Sequence, residues 1–139
     1  MNLRHRRWLR QANGPLPEPL PKIRKGCCPS YKTVCLSCCN QEHGVWLNRW
    51  DWKHRPTLYH ELAHWFDYRH LQDADREVLK AHFGWPDLPW WWEASPETEW
   101  TQPNCERFAK VYTHMLLHPR QHKWLRGTLR EVKRRGLES

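Results

Sequence analysis

Two histidines four residues apart, with a glutamate directly after the first, stand at positions 60–64, His60-Glu61-Leu62-Ala63-His64. Because an α-helix turns once in about 3.6 residues, this spacing places both imidazoles on one helix face. From that face they can bind one zinc ion while Glu61 leans toward the open side of the metal. Zinc lowers the pKa of a bound water to about 7, so the pattern predicts a zinc-dependent hydrolase with Glu61 as general base.

The residues around this motif favour one amphipathic helix over positions 57–70. Neither glycine nor proline interrupts the stretch, and Pro56 precedes it at a place where helices commonly begin. Leu58, Leu62 and Phe66 recur at helical spacing and predict a buried face beside the histidines. Pentapeptides of this kind also occur by chance, but a buried helix with these polar groups and no metal would leave several of them unpaired.

Two residues compete for the third metal position. Glu106 lies in the first turns of a helix predicted between positions 103 and 119, and two histidines with a glutamate form a catalytic zinc set. His70 gives nearly the spacing HExxHxxGxxH, but Asp67 stands where that pattern has the glycine that turns the chain back. The pattern favours Glu106 and leaves His70 as the alternative.

Hydrolysis of a peptide also requires a hydrogen-bond donor for the oxyanion of the tetrahedral intermediate. Tyr112 and His114 follow Glu106 on the same predicted helix and are the candidates, although Tyr112 fits a core aromatic equally well. Asp67, one turn past His64, is a candidate for orienting an imidazole, and a plain surface charge is the alternative.

Five of the six cysteines crowd into positions 27–39. The spacing Cys35-x-x-Cys38 is typical of a metal knuckle and predicts a second, structural Zn²⁺. Disulfides or redox-active thiols, and unligated cysteines, are the alternatives. The sixth, Cys105, is predicted to be a small buried residue. The predicted thiolate ligands are Cys28, Cys35, Cys38 and Cys39.

The positive charge lies at the two ends of the chain. Of 23 Lys and Arg residues, seven fall in 1–25 and seven in 118–139, and the net charge is +8. A length of 139 residues fits one domain. We predict a basic, Pro-rich segment at 1–25, the metal-binding domain at 26–119 and a basic helix at 120–139. The basic ends suit contact with nucleic acid, and solvated tails are the alternative.

Hydropathy and composition indicate where the protein acts and how its core is built. No apolar stretch reaches the length of a membrane span, and the N-terminus lacks the apolar region of a signal peptide. We therefore expect a cytoplasmic protein without a membrane partner, and release without a classical signal is the alternative. Leu, Ile and Val are sparse beside eleven tryptophans, which are therefore expected to supply much of the core.

Periodicity and turn residues predict an α+β order of elements. A Pro-rich connector at 15–21 and a Pro- and Trp-rich loop at 85–100 separate some of them. The predicted strands are Tyr31–Leu36 and Gly44–Asn48, and the predicted helices cover 1–14, 57–70, 73–84, 103–119 and about 120–135.

Four stretches together resemble small HExxH proteins of phages and actinobacteria, which are minimal gluzincin-type zinc metallopeptidases. They are the strand 44–48, the motif 60–64, the loop 85–92 and the segment Glu106–Tyr112, and the resemblance covers about residues 43–117. It implies a zincin-like fold with a small antiparallel or mixed sheet, whose edge strand, at 44–48, lies above the cleft and pairs with an extended peptide substrate. It also implies zinc held by His60, His64 and Glu106, with Glu61 as general base.

Two functions from different classes follow from these patterns. The first is a zinc metallopeptidase that acts on a peptide or protein substrate. The second is a noncatalytic, zinc-stabilised module that binds nucleic acid or protein through its basic ends and tryptophans. Glu61 favours the first, because a structural zinc site needs no general base and usually fills all four positions with protein ligands.

Overall fold

The computed structural model of the chain describes residues 1–91 and 103–138. This part of the chain forms an α+β fold, as predicted, with each of the five predicted helices present. The helices are α1 (Leu3–Arg10), α2 (Arg55–His70), α3 (Asp73–Phe83), α4 (Asn104–Leu117) and α5 (Lys123–Glu138), with a short 3-10 turn at Asp51–Lys53. The strands are β1 (Ile23–Lys25), β2 (Cys38–Asn40) and β3 (Gly44–Leu47).

Helix α3 has ends that its sequence specifies. The Gln72 side chain accepts from the backbone N–H of Asp75, whose carboxylate accepts from the N–H of Gln72 at 2.9 Å, which forms a capping box. At the other end Gly84 adopts φ 65°, the left-handed conformation that glycine enters without a steric penalty. The predicted helix at 73–84 is therefore confirmed almost to the residue.

The three strands form one small mixed sheet with the order β1-β3-β2. Strand β1 runs parallel to β3, and β2 runs antiparallel to it. At the start of β3, a Cβ on Gly44 would lie 2.5 Å from the backbone oxygen of Lys22, so only glycine fits there. The predicted strand at 44–48 is confirmed as β3, but its predicted place at the edge is wrong, because β1 and β2 flank it on both sides. The edge strand that contacts α2 is β2.

The segment Tyr31–Leu36, predicted as a strand, is instead a loop closed by two disulfides. Its large apolar side chains do not pack in the core, since Tyr31 is 51% exposed and Leu36 is 45% exposed. The disulfides join Cys27 to Cys35 and Cys28 to Cys38.

These disulfides also correct the prediction of a second zinc ion at the cysteine cluster. Cys28, Cys35 and Cys38 share their sulfurs in S–S bonds, so they offer no thiolates, and Cys39 is left as a free thiol. The same spacing serves either chemistry, and here the alternative of disulfides is found. Disulfides persist mainly in oxidising environments, whereas a cytoplasmic location remains the prediction from sequence.

The core is built from leucine, phenylalanine, tyrosine and methionine, and the prediction that tryptophan supplies it is wrong. None of the tryptophans within the described residues is fully buried. Trp8, Trp52, Trp85 and Trp90 instead pack at the border of the core, where a large ring with an N–H group can keep one edge near water. The largest fully buried side chains are Tyr59, Phe66, Phe108 and Tyr112.

Both basic ends of the chain pack onto this core. In α1 the His5 side chain is fully buried and its Nε2 lies 2.9 Å from the Trp52 carbonyl oxygen, while β1 joins the sheet. The segment 1–25 thus contributes structure to the domain. In α5, Leu125 and Leu129 are buried in the core. Within the described residues, no helix combines the length and apolar character needed to cross a membrane.

The packing of α2 against α4 yields a prediction on stability. Leu62 stands between His60 and His64 in the sequence, and its side chain is fully buried in the core. Leu62→Ala should therefore lower the free energy of unfolding by about 2–5 kcal/mol. The control is Val78→Ala, because Val78 is 51% exposed on α3 and its truncation should cost less than about 1 kcal/mol. Urea denaturation measures both, and equal losses in the two variants would contradict the described core.

Candidate metal centre

Helices α2 and α4 bring His60, His64 and Glu106 to one point. The two imidazoles lie on one face of α2 with ring centroids 5.1 Å apart. Glu106, in the first turn of α4, spans them: its Oε2 lies 3.0 Å from His60 Nε2 and its Oε1 lies 3.1 Å from His64 Nε2. Among the described residues this is the only group of three or more His, Cys, Asp or Glu side chains whose ligand atoms all lie within 4.8 Å of one another.

These distances fit a divalent metal ion. Zinc binds imidazole nitrogen and carboxylate oxygen at about 2.0–2.2 Å, so tetrahedral ligand atoms lie about 3.3 Å apart. The two observed contacts, 3.0 and 3.1 Å, use different oxygens of Glu106, and all the ligand atoms lie within 4.8 Å of one another. The group can therefore hold a metal ion, with Glu106 rather than His70 as the third ligand.

Electrostatics at this centre already favours a cation beside Glu106. Burial raises the pKa of Glu106, but the hydrogen bonds from His60 and then His64 outweigh burial and hold the pKa of this carboxyl well below its usual range. Burial lowers the pKa of His64, and its hydrogen bond to Glu106 outweighs that effect, so the net shift is upward. The carboxylate is thus stabilised by positive charge at the position where a metal would lie.

Glu61 points into the same region from α2 and is 7% exposed. Burial raises the pKa of its carboxyl, and the neighbouring charges of His64 and His60 act in the opposite direction. Within the described part of the chain, its Oε2 atom is buried and has no hydrogen-bond partner. A buried carboxylate oxygen without a partner is costly, so this atom is ready to accept a proton or a hydrogen bond from a small molecule in the cleft.

The group opens into a cleft of about 310 Å³. One wall is formed by Ser37, Cys38 and Cys39, from β2 and the residue before it. The Val45 N–H donates to the carbonyl of Lys22, the residue before β1. The backbone N–H and C=O of Val45 therefore point toward β1 and away from β2. In the antiparallel pair Cys39–Val45, the backbone N–H and C=O of Cys39 therefore point away from β3, at the outer edge of the sheet.

Two free thiols, Cys39 and Cys105, also line this cleft. Burial, and then the charge of Glu61, raises the pKa of the Cys39 thiol. Burial, and then the charge of Glu106, raises the pKa of Cys105 to about 12. Both thiols stay protonated at neutral pH, and neither belongs to the group of three converging ligands. The prediction that Cys105 is a small buried residue is confirmed, since it is 2% exposed.

Tyr112 and His114, the predicted oxyanion donors, both lie outside the cleft. Tyr112 is fully buried, and its hydroxyl donates to the Pro15 carbonyl at 2.8 Å, so this prediction is corrected: the phenol belongs to the core. His114 is exposed two turns beyond Glu106, about 12 Å along α4, and pairs with His122.

Asp67 and His70 have other partners as well. The Asp67 carboxylate accepts from Arg76 Nε at 3.0 Å and from Trp90 Nε1 at 2.6 Å, which ties α2 to α3 and to the chain before α4. His70 Nε2 accepts from the backbone N–H of Glu18 at 3.0 Å, at the end of α2. Asp67 is fully buried, so it is not the plain surface charge offered as the alternative to a partner for the imidazoles.

Tyr68 lines the cleft and was missed in the sequence, although a signal was present. It follows His64 by four residues and His60 by eight, which continues the same face of α2. Its ring stacks on Trp91 with centroids 5.1 Å apart. Burial raises the pKa of its hydroxyl, so Tyr68 keeps its proton and can donate a hydrogen bond.

Comparison of the chain with protein-family models, with curated proteins and with solved structures finds no match. The resemblance to gluzincin-type peptidases therefore remains a prediction from the sequence.

The convergence of the three side chains predicts how metal content responds to substitution. Glu106→Gln keeps the size of the side chain but removes the charged ligand, so the variant should retain one zinc ion fewer per chain than the parent after dialysis against excess Zn²⁺. The matched control is Glu77→Gln, since Glu77 is exposed on α3. Metal analysis by mass spectrometry measures both, and equal zinc in parent and Glu106→Gln would contradict the centre.

Proposed function

We propose that the protein is a zinc-dependent peptidase that hydrolyses peptide bonds in the cleft beside α2. The observation that carries this proposal is the buried, unpartnered Oε2 of Glu61 next to the group of His60, His64 and Glu106. A purely structural metal site has no use for an additional buried carboxylate with an oxygen that lacks a partner. A general base does require such a group, within reach of the reacting molecule.

Each residue of the centre has a role in the proposed reaction. His60, His64 and Glu106 would hold the ion, which when bound acidifies a water molecule and polarises the substrate carbonyl. Glu61 accepts the proton of the attacking water and then delivers it to the amine that leaves. Burial raises the pKa of Glu61, which brings it closer to the pH at which a group can both accept and return a proton.

Strand β2 supports a peptide as the substrate. The backbone N–H and C=O of Cys39 point off the open edge of the sheet, and Cys39 lines the cleft. An extended peptide can add to such an edge as a further strand, because its backbone then pairs with these groups. This arrangement would place a peptide bond of the substrate beside Glu61, whatever side chains the substrate carries.

Tyr68 is the proposed donor to the oxyanion. It lies in the same cleft as Glu61, on the same helix face as the two histidines, and its hydroxyl remains protonated. A donor that is fixed before the reaction stabilises developing negative charge more than a mobile one. The stack of its ring on Trp91 supplies that fixation.

Glu61→Gln tests the proposal directly. The amide has the size of the carboxylate but cannot accept the proton, so kcat on labelled casein should fall by about 10²–10⁴-fold. The zinc content should equal that of the parent, since Glu61 is not a ligand. Glu77→Gln serves again as the control on an exposed surface and should leave kcat unchanged. Cleavage by Glu61→Gln at the parental rate, or no cleavage by the zinc-loaded parent, would refute the peptidase.

Tyr68→Phe separates the oxyanion role from a structural one. The substitution keeps the ring and its stack on Trp91 and removes only the hydroxyl. Loss of one oxyanion donor should lower kcat by about 10²-fold while KM and zinc content stay near parental values. A change confined to KM or to thermal stability would show instead that the hydroxyl binds substrate or supports the fold.

A further inference from the structure

Three histidines, His114, His118 and His122, lie together where α4 ends and α5 begins. Nδ1 of His114 lies 2.7 Å from Nε2 of His122. The ring centroid of His114 lies 4.0 Å from that of His118 and 4.9 Å from that of His122. The proposed peptidase uses none of these residues, so their convergence requires a separate explanation.

The backbone brings His122 into this cluster in a conformation that is unusual for its residue type. Its φ is 61°, and among the described residues it is the only one other than glycine with a positive φ. Side chains with a Cβ rarely adopt this left-handed region, and such residues tend to cluster at functional sites. The His122 carbonyl accepts the Arg126 N–H at 2.9 Å, so the same residue also starts α5.

We infer that His114 and His122 form a second site, which binds a divalent transition-metal ion such as Zn²⁺ or Ni²⁺; the His118 ring packs on His114, but its nitrogens do not converge with the other two within 4.8 Å. One ring donates its N–H to the other in the present contact, and a metal ion takes the place of that shared proton. A tetrahedral ion with bonds of about 2.0–2.1 Å needs its ligand nitrogens about 3.3 Å apart. His114 is exposed and His122 is half-buried, so the rings are free to open by that amount.

The type of donor atom determines which ions this site selects. Both donors, His114 and His122, are imidazole nitrogens. Imidazole nitrogen suits zinc, nickel and copper, whereas Mg²⁺ and Ca²⁺ require several oxygen ligands. The site therefore discriminates against these hard ions.

The experiment titrates the full-length protein, stripped of metal by a chelator, with NiCl₂ or ZnCl₂ in a calorimeter. His122→Asn removes the imidazole but keeps a residue that tolerates a positive φ, so the turn into α5 is preserved. This variant, and separately His114→Ala, should bind one ion fewer per chain than the parent. His43→Ala is the control: the His43 side chain is exposed at 51%, and its removal should change nothing. MgCl₂ should give no heat of binding at this site.

The inference is overturned if both His122→Asn and His114→Ala bind as many nickel or zinc ions as the parent. This second site is independent of the peptidase centre. The Glu106→Gln variant should lose the ion of the peptidase centre and keep the ion that depends on His122. A chain that loses an ion in His122→Asn but none in Glu106→Gln would support this second site and refute the first.

Discussion

The packing of α2 against α4 is the contact on which the metal centre depends. Leu62 and Phe66 on α2 and Phe108 and Tyr112 on α4 are fully buried in one core, and this apolar contact fixes the two helices side by side. The small side chain of Ala109, also fully buried, occupies little of the space between them. Burying polar ligands opposes folding, and the surrounding apolar contacts offset that cost. The carboxylate from one helix then meets the imidazoles of the other within hydrogen-bond distance.

A second constraint comes from the disulfide-closed loop and the strand that follows it. The bond between Cys28 and Cys38 anchors the start of β2, and the pairing of β2 with β3 anchors the rest. Ser37 strengthens the junction, because its hydroxyl donates to Asp51 at 2.6 Å and accepts the Asn48 N–H at 2.9 Å. The cleft therefore has one wall from a helix face and one from a covalently braced strand, and both are held independently of any ligand.

The sequence predicts well whatever depends on local spacing. Helical spacing of apolar residues and nearby turn residues predict the helix of the motif with its two histidines. They also predict the capped helix α3. The order of the strands does not, because β1 pairs with β3 across about twenty residues and carries no pattern of its own. The cysteine cluster was ambiguous for a different reason, since thiolates and disulfides share the same spacing. Helical periodicity alone does not separate Tyr112 from Tyr68, because an aromatic on an amphipathic helix fits a core as well as a cleft. The spacing of four residues from His60 to His64 and on to Tyr68 does separate them, because it places Tyr68 on the ligand face.

The alignment of His60, His64 and Tyr68 along one face of α2 has an evolutionary consequence. Inserting or deleting a single residue between two of them would rotate every later side chain by about 100° around the helix axis. An insertion between His60 and His64 would leave the two ligands about 140° apart around the axis, and the buried stripe would turn toward water at the same time. Insertions inside this segment therefore separate the ligands, whereas substitutions that keep the register leave them on one face.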